Sequence, residues 1–125
     1  MILDTNAVSA ILAGDNTIRP VLEIVRTLVI PAIVVGEYRY GIAMSRKQAE
    51  LDASFDQLVR RITFAPVDEP ITRRYAQVRR ALRDAGTPIP ENDVWIAATA
   101  AHYQMPVLSR DAHFDLVPGI KRVGW

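Results

Sequence analysis

Apolar positions along this chain alternate between short unbroken runs and helical spacing, and that alternation sets the order of elements. Met1 to Leu3 reads as a strand ending at Asp4, and Asn6 to Ala13 carries helix-compatible spacing until Gly14 stops it. Pro20 suits the first turn of a second helix, which runs to about Arg26. Thr27 to Ile30 reads as a buried strand broken by Pro31, and Ala32 to Met44 as the next helix. Lys47 to Arg60 is helical, with Leu51, Phe55, Leu58 and Val59 on its apolar face, and Ile62 to Phe64 is a third strand. The clearest helix is Glu69 to Ala85: Ile71, Tyr75, Val78 and Leu82 form its stripe, and Arg73, Arg74, Arg79, Arg80 and Arg83 lie off it. Gly86 and Pro88 close that helix, and Pro90-Glu91-Asn92 leads into another from Asp93 to about Tyr103. Val107 to Ser109 is a fourth strand, Ala112 to Leu116 a helical turn, and Lys121 to Val123 a last strand. The pattern predicts an α/β, three-layer fold with a central parallel sheet of about five strands and helices on both faces.

With 125 residues, half of them apolar, and no repeat or composition break, a single domain over 1–125 is expected. The absence of cysteine excludes disulfides, zinc–thiolate sites and thiol nucleophiles, so any metal is held by oxygen or imidazole. The longest apolar run, Leu28 to Val35, contains Pro31 and is too short to span a bilayer, and no basic-then-apolar leader opens the chain. A cytoplasmic protein without membrane contact is expected. Net charge is +1, but if four of the 14 acids share one site, the rest of the surface carries about +5 and suits an anionic partner. Thirteen of the 15 basic residues are arginine, the side chain best matched to phosphate; an arginine-rich codon usage explains this equally well.

Sites in open parallel sheets form beyond the carboxyl ends of the strands, and four acids fall in that layer. Asp4 ends the first strand, Glu37 lies in the first two turns of the helix after the second, and Asp111 closely follows the fourth. Asp93 opens the helix that feeds the fourth strand, so its place depends on the packing. Four carboxylates gathered at about 5 Å would repel by roughly 3 kcal/mol per pair at an effective dielectric near 20. Mg²⁺ or Mn²⁺ relieves that conflict, and can acidify a water and stabilise charge on a phosphoryl oxygen. Phosphodiester hydrolysis is the reaction such an arrangement serves best. Each acid also has a purely structural reading. Asp4, Asp93 and Asp111 all stand where helix starts favour an acid, although Thr5, Asn6 and Asn92 can cap in their place. Glu37, among Val34, Val35, Tyr38 and Ile42, could point to solvent. Arg39 and Arg110 neighbour proposed ligands and are candidates for substrate phosphate. His113 could reach a phosphate or the site's edge, His102 packs at a helix end, and neither is expected to bind metal. Asp115 reads as a surface acid, and Phe55, Trp95, Ile96 and Phe114 as core.

Four segments resemble, in order, the signature segments of PIN-domain proteins: Ile2-Leu3-Asp4-Thr5-Asn6, Glu37-Tyr38-Arg39-Tyr40-Gly41, Asn92-Asp93-Val94-Trp95-Ile96-Ala97-Ala98 and Ser109-Arg110-Asp111-Ala112-His113-Phe114. The likeness is greatest to the VapC toxins of VapBC toxin–antitoxin pairs and covers essentially the whole chain. Each segment alone is weak; four in order with family-like spacing are a strong signal. The resemblance implies a five-stranded parallel sheet and a Mg²⁺-dependent endoribonuclease acting on tRNA or ribosomal RNA, the toxin of a type II pair. It also implies a VapB-type antitoxin whose C-terminal segment occupies the active-site groove, and a homodimer. Carried over, Asp4 and Asp93 are the principal metal ligands, Glu37 completes the site and Asp111 is the fourth acid. Thr5, Asn6 and Ser109 orient the carboxylates or a water, with Asn92 a further supporting polar residue. Ser109 stands where threonine is more usual, and either hydroxyl donates the same hydrogen bond. Two other readings compete. One is a PIN-fold module that holds RNA or protein without chemistry. The other is a phosphohydrolase of the haloacid dehalogenase type, which wants a second acid where this chain has Asn6.

Overall fold

The computed structural model describes residues 1–125. Its elements are β1 (Ile2–Leu3), α1 (Thr5–Leu12), α2 (Arg19–Ile24), β2 (Val29–Pro31), α3 (Ala32–Ala43), α4 (Gln48–Arg61), β3 (Thr63–Ala65), α5 (Glu69–Asp84), α6 (Glu91–Tyr103), β4 (Val107–Leu108), a 3-10 turn (Ala112–Leu116) and β5 (Arg122–Val123). All strand pairs are parallel and the order is β3-β2-β1-β4-β5. The first strand is thus the central one, and Ile2 stands in register with both Val29 and Val107. The chain builds outward from β1 to β3, then returns to add β4 on the opposite side of β1. Strand order therefore reverses between β1 and β4, the place where a crevice opens beyond the strands' carboxyl ends.

The short strands are held by burial. Ile2, Leu3, Ile30, Val107 and Leu108 are wholly inaccessible, as expected for strands covered on both faces. Phe55 of α4 and Phe114 of the 3-10 turn are equally buried. The amphipathic helix forms as predicted: Asp68 caps α5 by accepting from Ile71 N, the apolar residues Ile71, Val78 and Leu82 are buried, and Tyr75 stacks on Trp95 of α6 with ring centroids 3.9 Å apart.

Two boundaries differ from expectation. Pro31 belongs to β2, in register with Ala65, instead of breaking the strand before it. Its φ of −67° is the proline ring's preset value and fits the last residue of a strand that also leads straight into α3. Helix α6 begins at Glu91, two residues early, because extended Pro90 serves as its N-cap position. Asn92 and Asp93 consequently lie inside the first helical turn. No helix is long and apolar enough to cross a membrane.

Candidate active site

Asp4 leaves β1 directly into α1 and is 5% exposed, one of only three buried polar or charged residues, with Thr99 and Ser109. Its Oδ1 accepts from Thr5 N at 2.7 Å, so it caps α1. Its Oδ2 accepts from Ser109 Oγ at 2.6 Å and Asn6 Nδ2 at 2.8 Å. The capping role and the place in an acidic cluster are therefore not alternatives; the carboxylate has an oxygen for each. Ser109, directly after β4, also accepts from Asn6 Nδ2 at 3.1 Å and from Asp111 N at 2.8 Å. Asn6 Oδ1 in turn accepts from Arg110 N at 3.2 Å. This network ties the end of β1 to the end of β4 across the crevice. Glu37, on α3, is held at both oxygens: Oε2 accepts from Thr5 Oγ1 at 2.5 Å and Oε1 from Asn92 Nδ2 at 2.7 Å. Asn92 reaches Glu37 because α6 starts early.

The other side of the cleft is built differently. Asp111 caps the 3-10 turn, its Oδ1 accepting from His113 N at 2.9 Å. His113 Nδ1 lies 3.1 Å from Asp93 Oδ2 and 2.9 Å from Asp111 Oδ1. One ligand atom from each of Asp93, Asp111 and His113 fits within a mutual separation of 4.8 Å. An open cleft of about 460 Å³, without an apolar wall, is lined by Asp4, Thr5, Asn6, Ser9, Glu37, Asp93 and Asp111. By contrast, the hollow under Ala100, Met105 and Ile120 has Lys121 as its single charge.

Burial, reinforced by the negative charges of Asp4 and Asp111 and opposed by His113, raises the Asp93 carboxyl from 3.8 to about 6. Asp4 is also raised, chiefly by burial and further by the charges of Glu37 and Asp111, against the hydrogen bonds from Ser109 and Thr5. Asp4 and Asp93 thus feel neighbouring acids as like charges in a partly dehydrated cleft. Hard oxygen donors at such a density suit a small divalent cation, so the residues present fit a bound Mg²⁺ or Mn²⁺.

The two arginines stand elsewhere. Arg39 turns to α4, where it pairs with Asp56 at 2.8 Å and Asp52 at 3.5 Å over the Phe55 ring. Arg110 reaches Asp15 Oδ2 at 3.2 Å and Thr17 Oγ1 at 3.1 Å, and its guanidinium lies 4.5 Å from the centre of the Trp125 ring. Asp115 pairs with Arg122 at the surface, and His102 packs edge-on against Tyr103 at the end of α6. His113 is the residue that sequence reasoning left at the margin and the structure places between two acids. Its spacing from Asp111, within one capped turn, was the available signal.

An open parallel α/β domain with four acids at its switch point defines a class of fold, and comparison with known proteins identifies it. A model described as the PIN domain matches residues 1–120. The chain is 31% identical to Toxin FitB of Neisseria gonorrhoeae, over 89% of this chain and 87% of that protein. It is 30% identical to Ribonuclease VapC4 of Mycobacterium tuberculosis, over 74% of this chain and 72% of that protein. In three dimensions it matches a chain from the crystal structure of VapBC2 from Rickettsia felis bound to a promoter DNA fragment. That match has a TM-score of 0.89 at 26% identity and covers 99% of this chain and 97% of the other. The chain belongs to the PIN-domain family, in its VapC-type branch.

Proposed function

We propose that this protein is a Mg²⁺-dependent endoribonuclease, with Mn²⁺ as an alternative ion, that cuts structured RNA, tRNA or ribosomal RNA, as the toxin of a type II toxin–antitoxin pair. The observation that carries the proposal is the facing of Asp4, Glu37, Asp93 and Asp111 into one cleft at the sheet's switch point. When bound, the divalent cation supplies Lewis-acid polarisation of the phosphodiester and an acidified water. Asp4, Asp93 and Asp111, completed by Glu37, hold that ion. Ser109 and Asn6 fix the rotamer of Asp4, and Thr5 and Asn92 fix that of Glu37, so the oxygens are oriented before substrate arrives. The open cleft, lined by polar and acidic residues alone, suits a phosphodiester backbone and offers no apolar pocket for a base.

The relatives named as toxin and ribonuclease, and the VapBC complex, support an inhibitory VapB-type partner. We propose a homodimer as well. Ile24, Tyr40 and Met44 are 81%, 71% and 74% exposed, apolar side chains that assembly would cover. The proposed action on tRNA or ribosomal RNA would be carried out in the cytoplasm, the location we propose.

The test is incubation of purified, inhibitor-free protein with end-labelled, folded total tRNA and ribosomal RNA, with Mg²⁺, with Mn²⁺ and with EDTA. Metal-dependent cleavage at one or a few positions, lost in Asp4→Asn and Asp93→Asn, is the expected result. Intact RNA throughout, from folded protein, would transfer the reading to a PIN-fold module that binds without cutting.

A further inference from the structure

One imidazole, that of His113, borders the acidic cleft through its contacts with Asp93 and Asp111. His113 Nδ1 stands 3.1 Å from Asp93 Oδ2 and 2.9 Å from Asp111 Oδ1, and all three side chains are partly buried. Two neighbouring ligands each 2.1 Å from an octahedral ion are separated by about 3.0 Å. Both His113 contacts therefore have the length of an edge of one such coordination sphere. The same length suits a hydrogen bond, and the imidazole can serve either arrangement. Facing two carboxylates, Nδ1 carries the ring proton; with the proton on Nε2, which makes no hydrogen bond to the protein, Nδ1 presents a lone pair. The backbone of His113 is fixed, since its N–H donates to the Asp111 carboxylate.

We propose that His113 Nδ1 joins Asp93 and Asp111 as a direct nitrogen ligand of the divalent cation, a contact that strengthens the binding of Mn²⁺ more than that of Mg²⁺. The inference rests on the metal-dependent reading above and deepens it. Mg²⁺ keeps waters and oxygen ligands, whereas a transition-metal ion gains more from imidazole. In this site the histidine holds the two acids together without the ion and helps to hold the ion when it enters.

Pulsed EPR of the full chain with equimolar Mn²⁺ reads the ligand directly, without RNA or turnover. Histidine coordination gives ¹⁴N modulation of the Mn²⁺ signal in the wild type and in His102→Gln, and none in His113→Gln. Titration of the same proteins should show Mn²⁺ binding weakened about tenfold in His113→Gln, with Mg²⁺ binding changed less than about twofold. Mn²⁺ bound without ¹⁴N modulation, but lost in Asp93→Asn, would overturn this inference alone and leave His113 as a link between acids. Wild-type protein that binds no Mn²⁺ would overturn both this inference and the metal-dependent reading.

Discussion

The two walls of the acidic cleft are built on opposite principles. On the wall of Asp4 and Glu37, each of the four carboxylate oxygens accepts at least one hydrogen bond, from Thr5 N, Asn6, Ser109, Thr5 Oγ1 or Asn92. On the wall of Asp93 and Asp111, one imidazole nitrogen faces both acids, and Asp93 is pushed up to about 6. Hydrogen-bonded oxygens are positioned in advance, and the bonds from Ser109 and Thr5 offset part of the burial that raises Asp4. Under-satisfied ones store an electrostatic conflict that a cation relieves. The difference teaches that rigidity and affinity for a counter-ion need not come from the same residues.

The comparison breaks most visibly at Asp93. Asp93→Asn should reduce metal-dependent RNA cleavage by roughly 10³-fold, in single-turnover assays, by removing an anionic donor from the unfinished wall. Ser109→Ala attacks the finished wall instead. It takes a donor from Asp4 and an acceptor from Asn6 and Asp111 N in a wholly buried place, which should cost about 1–3 kcal/mol in denaturant unfolding. Cleavage should fall by a smaller factor than in Asp93→Asn, about 10–100-fold.

The pH dependence sharpens the contrast. Because the folded pKa of Asp93 is raised, the fold binds its proton more tightly than the unfolded chain does. Its contribution is fully present below about pH 4 and is lost as pH rises through about 6. Discounted for partial exposure, the loss in metal-free protein should be about 1–2 kcal/mol. Asp93→Asn should flatten that slope in thermal unfolding between pH 4 and 7, and millimolar Mg²⁺ should offset it in the wild type. A wild-type slope that survives Asp93→Asn would assign it to Asp4. The smallest effect is expected at Arg39, whose partners Asp52 and Asp56 are on α4. Arg39→Ala should change stability by less than about 1 kcal/mol and cleavage by less than about twofold. A larger drop in cleavage would show that Arg39 leaves α4 to meet RNA.

The apolar pattern was enough to order every strand and helix, because parallel strands buried on both faces and one strongly striped helix leave clear marks in sequence. Ends were harder. Proline was read as a stop at position 31, yet an extended φ suits a strand's last residue. At 90 the same extended geometry started α6 earlier than its acid suggested. Heights in the fold were readable for Asp4, Glu37 and Asp111, since each follows a strand closely. The side-chain partners were not. The contact of Asn92 with Glu37 spans 55 residues and that of His113 with Asp93 spans 20, and both depend on how α6 packs. Nor did adjacency in sequence reveal the ion pairs of Arg39 with α4 or of Arg110 with Asp15.

The bond from Ser109 to Asp4 joins residues 105 positions apart. During synthesis, Asp4 is therefore made 105 residues before the hydroxyl that orients it. Strand β4, which carries that hydroxyl to the crevice, must also dock beside β1 before the carboxylate is held. A nascent chain that stops short of β4 therefore has an Asp4 without its Ser109 hydrogen bond, so the pre-oriented carboxylate is a product of the finished sheet rather than of the local sequence around it.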